Sequence, residues 1–117
     1  ITFLCVTFKP NTDDMREASS IPMINYLNKK GSKIRYYDPS GRKKEFDKLK
    51  NVKFYSSISS ACIKSDLIII HTEWNAFKLL DFKRLVKKKN FKVFDMRNIY
   101  SQDKMRDLKI DYTSIGR

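Results

Sequence analysis

Phe8-Lys9-Pro10-Asn11-Thr12-Asp13-Asp14-Met15-Arg16-Glu17 is a polar stretch set between an apolar run, Ile1–Val6, and an amphipathic run that begins near Ser20. The order apolar run, polar loop, amphipathic run reads as strand, loop and helix, which is half of a βαβ unit. In open α/β sheets, the loops beyond the carboxyl ends of the strands hold the ligand. This loop carries Lys9, Asp13, Asp14, Arg16 and Glu17, more charge than a connector of its length needs. Pro10 fixes its own φ and biases Lys9 toward an extended conformation, which stiffens the loop. Two readings compete at this stage, a solvated connector and a site for an anionic ligand, and the rest of the chain decides between them.

Upstream of the loop, Ile1–Val6 is β-prone and nearly all apolar, as a strand buried on both faces should be. Downstream, Ser19 or Ser20 is placed to cap a helix, with Pro22 in its first turn, where a missing N–H does no harm. Ile21, Ile24 and Leu27 form its buried stripe, and Gly31 suits the position just past its end. Lys33–Tyr37 is a second strand, closed by the turn signature Asp38-Pro39-Ser40-Gly41. Arg42–Lys50 is a charged connector with Phe46 and Leu49 to bury, and Val52–Tyr55 reads as a short edge strand. Ser56 or Ser57 opens a helix with Ile58, Ala61 and Cys62 on one face. Leu67-Ile68-Ile69-Ile70 is the strongest central-strand signal, followed at its carboxyl end by Thr72-Glu73-Trp74-Asn75.

Asp81 caps a helix that buries Phe82, Leu85 and Val86, and Phe91–Phe94 is the next strand, ending at Asp95-Met96-Arg97-Asn98. Ser101 caps a last helix with Met105 and Leu108 inward, and Lys109–Tyr112 is a final edge strand. Strands alternating with helices imply a mostly parallel sheet of five or six strands with helices on both faces, a three-layer α/β/α sandwich. Lys9, Arg16, Asp38, Glu73, Trp74, Asp95 and Arg97 then converge on one edge. Asp38 sits where dinucleotide folds carry a ribose-binding acid, but the first loop has no Gly-x-Gly-x-x-Gly.

A chain of 117 residues suits one domain with one core, and 41% hydrophobic with 32% charged residues places it among globular proteins. Apolar runs such as Leu67–Ile70 are too short to span a bilayer, and Ile1–Val6 lacks the basic leader and cleavage pattern of a signal peptide. Cys5 and Cys62 form no Cys-x-x-Cys motif and fall on apolar faces, so buried free thiols in a reducing compartment, the cytoplasm, are expected. With His71 the only histidine, no zinc site is expected, nor any other metal. Ile1 already belongs to a strand, which reads as the tail end of a longer polypeptide or a piece cut at a domain boundary.

The net charge is +12. Lys29–Lys53 holds ten Lys or Arg against three Asp or Glu, and Lys78–Lys92 holds seven against one. A patch of this sign binds nucleic acid or another polyanion in some proteins. No aromatic interleaving and no nucleic-acid motif accompanies it, so a lysine-rich solvated face is the preferred reading and a polyanion-binding module the alternative.

Phe-Lys-Pro-Asn-Thr-Asp-Asp-Met-Arg-Glu-Ala (Phe8–Ala18), Thr-Glu-Trp-Asn-Ala-Phe (Thr72–Phe77), Phe-Asp-Met-Arg-Asn (Phe94–Asn98) and Ser-Ile-Gly-Arg (Ser114–Arg117) occur in this order. Together they make the chain resemble the C-terminal UDP-binding domain of the UDP-glucose 6-dehydrogenases, in the UDP-glucose/GDP-mannose dehydrogenase family. The resemblance spans the whole chain and implies a Rossmann-like fold. It implies an enzyme that oxidises the C6 alcohol of UDP-glucose to a carboxylate in two NAD-dependent steps. By the resemblance, Phe8, Lys9 and Arg97 contact the UDP-sugar, and Arg16 reaches NAD held mainly by an upstream domain. The partners implied are UDP-glucose, UDP-glucuronate and upstream NAD-binding and dimerisation domains. The catalytic cysteine lies upstream, matching neither Cys5 nor Cys62, so this chain by itself is expected to be inactive. Two departures stand out: the family usually has glycine where this chain has Cys5 and Met96. A diverged, non-catalytic remnant is the further alternative.

From residues alone, each site position has a competing structural role. Phe8 suits core packing, Arg97 an ion pair with Asp95 or Glu73, and Arg16 an ion pair with Asp13 or Asp14. Structural roles are preferred for Trp74 and Asp38.

Overall fold

Side chains at alternate positions of a strand face opposite sides, and the buried residues of this chain divide accordingly. The computed structural model describes residues 1–116; Arg117, the last residue of the Ser-Ile-Gly-Arg motif, lies outside them. Phe3, Ile34, Tyr36 and Ile69 pack on one face of a sheet with Met15, Ala18, Ile24 and Phe46. Leu4, Ile68, Ile70 and Val93 pack on the other with Cys62, Phe77, Phe82, Val86 and Met105. Two apolar layers on a central sheet make the three-layer sandwich expected from the sequence.

The strands are β1 (Thr2–Leu4), β2 (Ile34–Tyr37), β3 (Val52–Phe54), β4 (Leu67–Ile70), β5 (Lys92–Asp95) and β6 (Asp111–Ser114), and the helices are α1 (Ser20–Lys29), α2 (Ile58–Cys62), α3 (Phe82–Leu85) and α4 (Gln102–Asp107). All strand pairs are parallel, and their spatial order is β3-β2-β1-β4-β5-β6. This is the doubly wound, Rossmann-type order. β1 and β4 lie at the centre, with Phe3 opposite both Tyr36 and Ile69. β3 and β6 are the edges, as expected for Val52–Tyr55 and for the final strand.

Local signals hold where a side chain or a glycine enforces them. Ser57, Asp81 and Ser101 each accept a backbone N–H in the first turn of α2, α3 and α4. α1 ends in a Schellman arrangement: Gly31, at φ +86°, donates to the carbonyl of Asn28, and Ser32 to that of Leu27.

Three expectations are corrected. The first strand ends at Leu4 rather than Val6, because Cys5 adopts φ +68°, which breaks the extended backbone. The last strand begins at Asp111 rather than Lys109. α4 closes with the same Schellman pattern, Lys109 donating to Arg106 and Ile110 to Met105, so Leu108–Ile110 belong to the helix end. Lys109 occupies its left-handed position at φ +58°, with no glycine in the sequence to signal it. For the same reason Leu108 is 48% exposed rather than inward, while Met105 is buried as expected.

Among the described residues, no helix is long and apolar enough to cross a membrane, and no group of three His, Cys, Asp or Glu is placed to hold a metal ion.

Candidate functional site

β1 and β4 are neighbours whose outgoing connections run to opposite faces of the sheet. Their following segments therefore separate at the carboxyl ends, and this switch point is where open α/β sheets form a crevice for ligands. Residues 5–19, which follow β1, make one wall of the expected crevice and residues 71–81, which follow β4, the other.

The first wall begins with the Cys5 turn. The Cys5 amide still donates to the carbonyl of Tyr37 at 2.7 Å, after which the chain leaves the sheet. Buried Asp38 fixes the turn from β2. Its Oδ2 accepts from Val6 N at 2.9 Å and Cys5 Sγ at 3.1 Å, and its Oδ1 accepts from Ser40 N at 2.9 Å and Ser40 Oγ at 2.5 Å. Asp38 thus has the structural role preferred for it. Burial and the nearby Asp38 carboxylate push the Cys5 thiol up to about 11, and burial pushes Cys62 up to about 12. Both are protonated, unreactive thiols at neutral pH, as buried free cysteines should be.

Beyond the turn the loop closes on itself. Phe8 N donates to Asp14 O at 2.9 Å, and Met15 and Ala18 anchor the return in the core. The tip is thereby pushed outward. Phe8 is 44% exposed, which excludes core packing, and Lys9 is exposed beside it. Arg16 lies on the outer flank, and its Nε and Nη2 grip the Asp14 carboxylate at 3.1 and 3.0 Å. That pairing holds the half-buried Asp14 carboxyl below its ordinary range. The surface ion pair considered for Arg16 is therefore present, with Asp14.

Neither Ser19 nor Ser20 caps α1 with its side chain, contrary to expectation. Tertiary partners take both hydroxyls: Ser20 Oγ donates to Val6 O at 2.6 Å, and Ser19 Oγ lies 2.8 Å from Nε2 of His71. His71 is buried at the end of β4, with Nδ1 2.8 Å from Thr72 Oγ1, and Thr72 Oγ1 donates to Thr7 O at 2.6 Å. These contacts join the two walls at their base. Burial, then the positive charge of Arg97, lowers the His71 pKa to about 4 against a smaller opposing pull from Asp38, so the ring is neutral.

The rim is completed from β5. Asp95 is fully buried and accepts four hydrogen bonds: Arg97 N on Oδ1, and Ile99 N, Tyr100 N and Tyr112 Oη on Oδ2. The turn held this way projects Arg97 back over the crevice. Its Nε donates to His71 O at 3.0 Å and its Nη2 to Phe8 O at 3.4 Å. Arg97 makes no ion pair with Asp95 or Glu73 among the described residues. Its guanidinium bridges both walls instead, tied to the residue next to Lys9.

Phe8, Lys9 and Arg97 are thus brought together; Arg16 stands on the outer side of the same loop. Glu73 is exposed and Trp74 half-buried against the core, its Nε1 buried without a hydrogen-bond partner among the described residues. His71, Thr72, Thr7 and Ser19 were missed by sequence reasoning. The available signal was a polar His-Thr pair directly after an all-apolar strand. A hollow of about 460 Å³, lined by Lys33, Arg35, Ser65 and Asp66, lies at the opposite edge. It sits at the amino ends of the strands, where this architecture does not place ligands.

An all-parallel doubly wound sheet with a bridged crevice at its switch point defines a ligand-binding domain of the Rossmann type. A comparison with known families narrows this further. The chain belongs to the UDP-glucose/GDP-mannose dehydrogenase family, whose UDP binding domain matches residues 2–102. It is 38% identical over its whole length to a UDP-glucose 6-dehydrogenase of Rhizobium meliloti and 36% identical to one of Bacillus subtilis, covering 27% of each. The chain thus spans about a quarter of the length of these relatives. Among solved structures, a UDP-glucose dehydrogenase from Pyrobaculum islandicum aligns over 96% of this chain and 24% of its own, with a TM-score of 0.70 and 26% identity. An NDP-N-acetyl-D-galactosaminuronic acid dehydrogenase from Methanosarcina mazei shares the fold, with a TM-score of 0.82 at 23% identity over 98% of this chain and 24% of its own.

Proposed function

We infer that this chain, residues 1–117 as a single domain, is the UDP-sugar-binding part of a UDP-glucose 6-dehydrogenase acting in the cytoplasm, and that the crevice between β1 and β4 receives the nucleotide sugar. The whole enzyme oxidises UDP-glucose to UDP-glucuronate with two NAD. The observation that carries this reading is the bridge from Arg97 to the carbonyls of His71 and Phe8, which holds the guanidinium beside the exposed Phe8–Lys9 tip. A diphosphate is the ligand chemistry that matches. Lysine meets phosphate as a mobile point charge, and the planar guanidinium offers paired N–H donors. The half-exposed ring of Phe8 packs against the uridine or the sugar.

The chain's own switch point does not fit NAD. Its first turn has no glycine between Cys5 and Ser19, and Asp38, at the ribose-reading position, is filled by donors from Val6, Ser40 and Cys5. NAD accordingly belongs to the remainder of the enzyme, with Arg16 as the one residue here that reaches toward it. The nucleophilic cysteine belongs there too, since both thiols of this chain are held protonated, and this domain by itself supplies binding and orientation. Neither a polyanion-binding module nor a diverged remnant is favoured, because the family match covers both lysine-rich segments and the crevice.

Titrating UDP against the chain while recording its amide NMR spectrum tests the reading. Shifts confined to Phe8–Arg16 and the neighbourhood of Arg97 are expected at millimolar ligand. An unchanged spectrum at those positions would overturn it.

A further inference from the structure

The hydrogen-bond directions around His71 are determined by chemistry alone. A carbonyl only accepts, so Thr72 uses its single hydroxyl proton on Thr7 O. His71 Nδ1 must therefore carry the proton it shares with Thr72 Oγ1, and a neutral ring then leaves Nε2 bare to accept from Ser19 Oγ. The result is a one-way chain, Ser19 Oγ–H to Nε2, Nδ1–H to Thr72 Oγ1, and Thr72 O–H to Thr7 O. It begins at the start of α1, passes through the end of β4 and ends on the residue before Phe8. The backbone of His71 adds two further ties: its amide donates to Leu4 O at 3.3 Å, and its carbonyl receives Arg97 Nε.

The geometry points to His71 as a positioning residue for ligand binding: its imidazole locks the Phe8–Lys9 loop to β4 at the spacing that lets Arg97 bridge the crevice. This inference rests on the reading of the crevice as a UDP-sugar site. His71 touches no ligand itself. It acts through Thr7 at the root of the loop and through the carbonyl that seats Arg97. The charged groups facing the ring are Arg97 from the end of β5 and Asp38 from the end of β2, and Phe3 of β1 packs beside it with ring centroids 6.4 Å apart. A neutral ring is required, because only then does Nε2 accept. The low pKa of about 4 keeps it so throughout the neutral range.

The test compares the chain with His71→Phe, which keeps a flat ring without the nitrogens, and His71→Asn, which restores an N–H close to the place of Nδ1. In the unliganded chain near neutral pH, two-bond proton–nitrogen correlations should report the Nδ1–H tautomer; the Nε2–H tautomer would overturn the inference. UDP affinity should fall about tenfold or more in His71→Phe, with the amides of Thr7, Phe8 and Lys9 displaced, and recover at least in part in His71→Asn. Equal affinity for His71→Phe and the unmodified chain, or no recovery in His71→Asn, would overturn it. Should His71→Phe not fold, Ser19→Ala at the exposed end of the chain of bonds carries the test. It should weaken UDP about threefold with the melting temperature unchanged, and unchanged affinity counts against the inference. Failure of the unmodified chain to bind UDP sinks the functional reading and not this one. Positioning is then judged without ligand: displaced Thr7–Lys9 amides in His71→Phe support it, and undisturbed amides refute it.

Discussion

Asp38 and Asp95 are two buried carboxylates at the carboxyl ends of β2 and β5, one on each side of the crevice, and they do different work. Asp38 binds donors on both sides of a turn already committed by the Cys5 backbone: Val6 N and Cys5 Sγ behind it, Ser40 N and Oγ ahead. Asp95 gathers three consecutive-turn amides and the Tyr112 hydroxyl of the edge strand β6. One carboxylate steadies a loop that other contacts also hold; the other is the main organiser of its turn. The difference shows why an acidic residue at a strand end is ambiguous in sequence. The same position serves ribose recognition in dinucleotide folds and pure loop architecture here.

The comparison predicts an asymmetry. Asp95→Ala removes the carboxylate that the Arg97, Ile99 and Tyr100 amides and the Tyr112 hydroxyl share, and should cost on the order of 4 kcal/mol in urea unfolding. Asp38→Ala should cost about 2 kcal/mol, since a thiol is a weak donor and the exposed Ser40 turn turns to water. Equal losses would remove the distinction between the two.

Between the two carboxylates lies His71, whose folded pKa of about 4 is below the ordinary 6.5. As pH falls, the unfolded chain takes up the proton first. The stabilisation is therefore complete above about pH 6.5 and is lost as pH drops through about 4, with a full size on the order of 3 kcal/mol. Unfolding curves between about pH 7 and pH 4 should show this slope, and His71→Asn should flatten it.

On the Asp38 side, Cys5 stands at φ +68°, a conformation that glycine adopts without strain. Replacing a buried side chain by glycine is normally worse than by alanine. Here Cys5→Gly should be more stable than Cys5→Ala by about 1 kcal/mol, because both lose the Sγ contact and only glycine relieves the backbone. A conventional ranking would mean that the Asp38 contacts abolish the strain. The smallest effect belongs to the outer flank: Arg16→Ala removes only an exposed pair with Asp14, its side chain 89% accessible, and should leave the melting temperature unchanged.

Much of this was legible from residues. The apolar run Leu67–Ile70, the Ser and Asp caps of α2, α3 and α4, and Gly31 are local signals, and each acted locally. The two unusual positions, Cys5 and Met96, divided. Cys5 occupies a left-handed backbone, the kind glycine adopts without strain, whereas Met96 does not and simply packs half-buried against the core. The exposure of Phe8 and the absence of an ion pair on Arg97 among the described residues were not legible, because each depends on how far apart two loops stand after the sheet has formed.

The pattern of apolar and polar residues by itself determined an alternating α/β chain with its charged loops at one edge, because period-2 and period-3.6 burial are properties of neighbouring residues. Tertiary structure alone decided that Ser19 serves His71 rather than its own helix, and that Arg97 rests on the carbonyls of His71 and Phe8. Those partners lie 52, 26 and 89 residues apart in the chain, and only the strand order brings their loops within hydrogen-bonding distance.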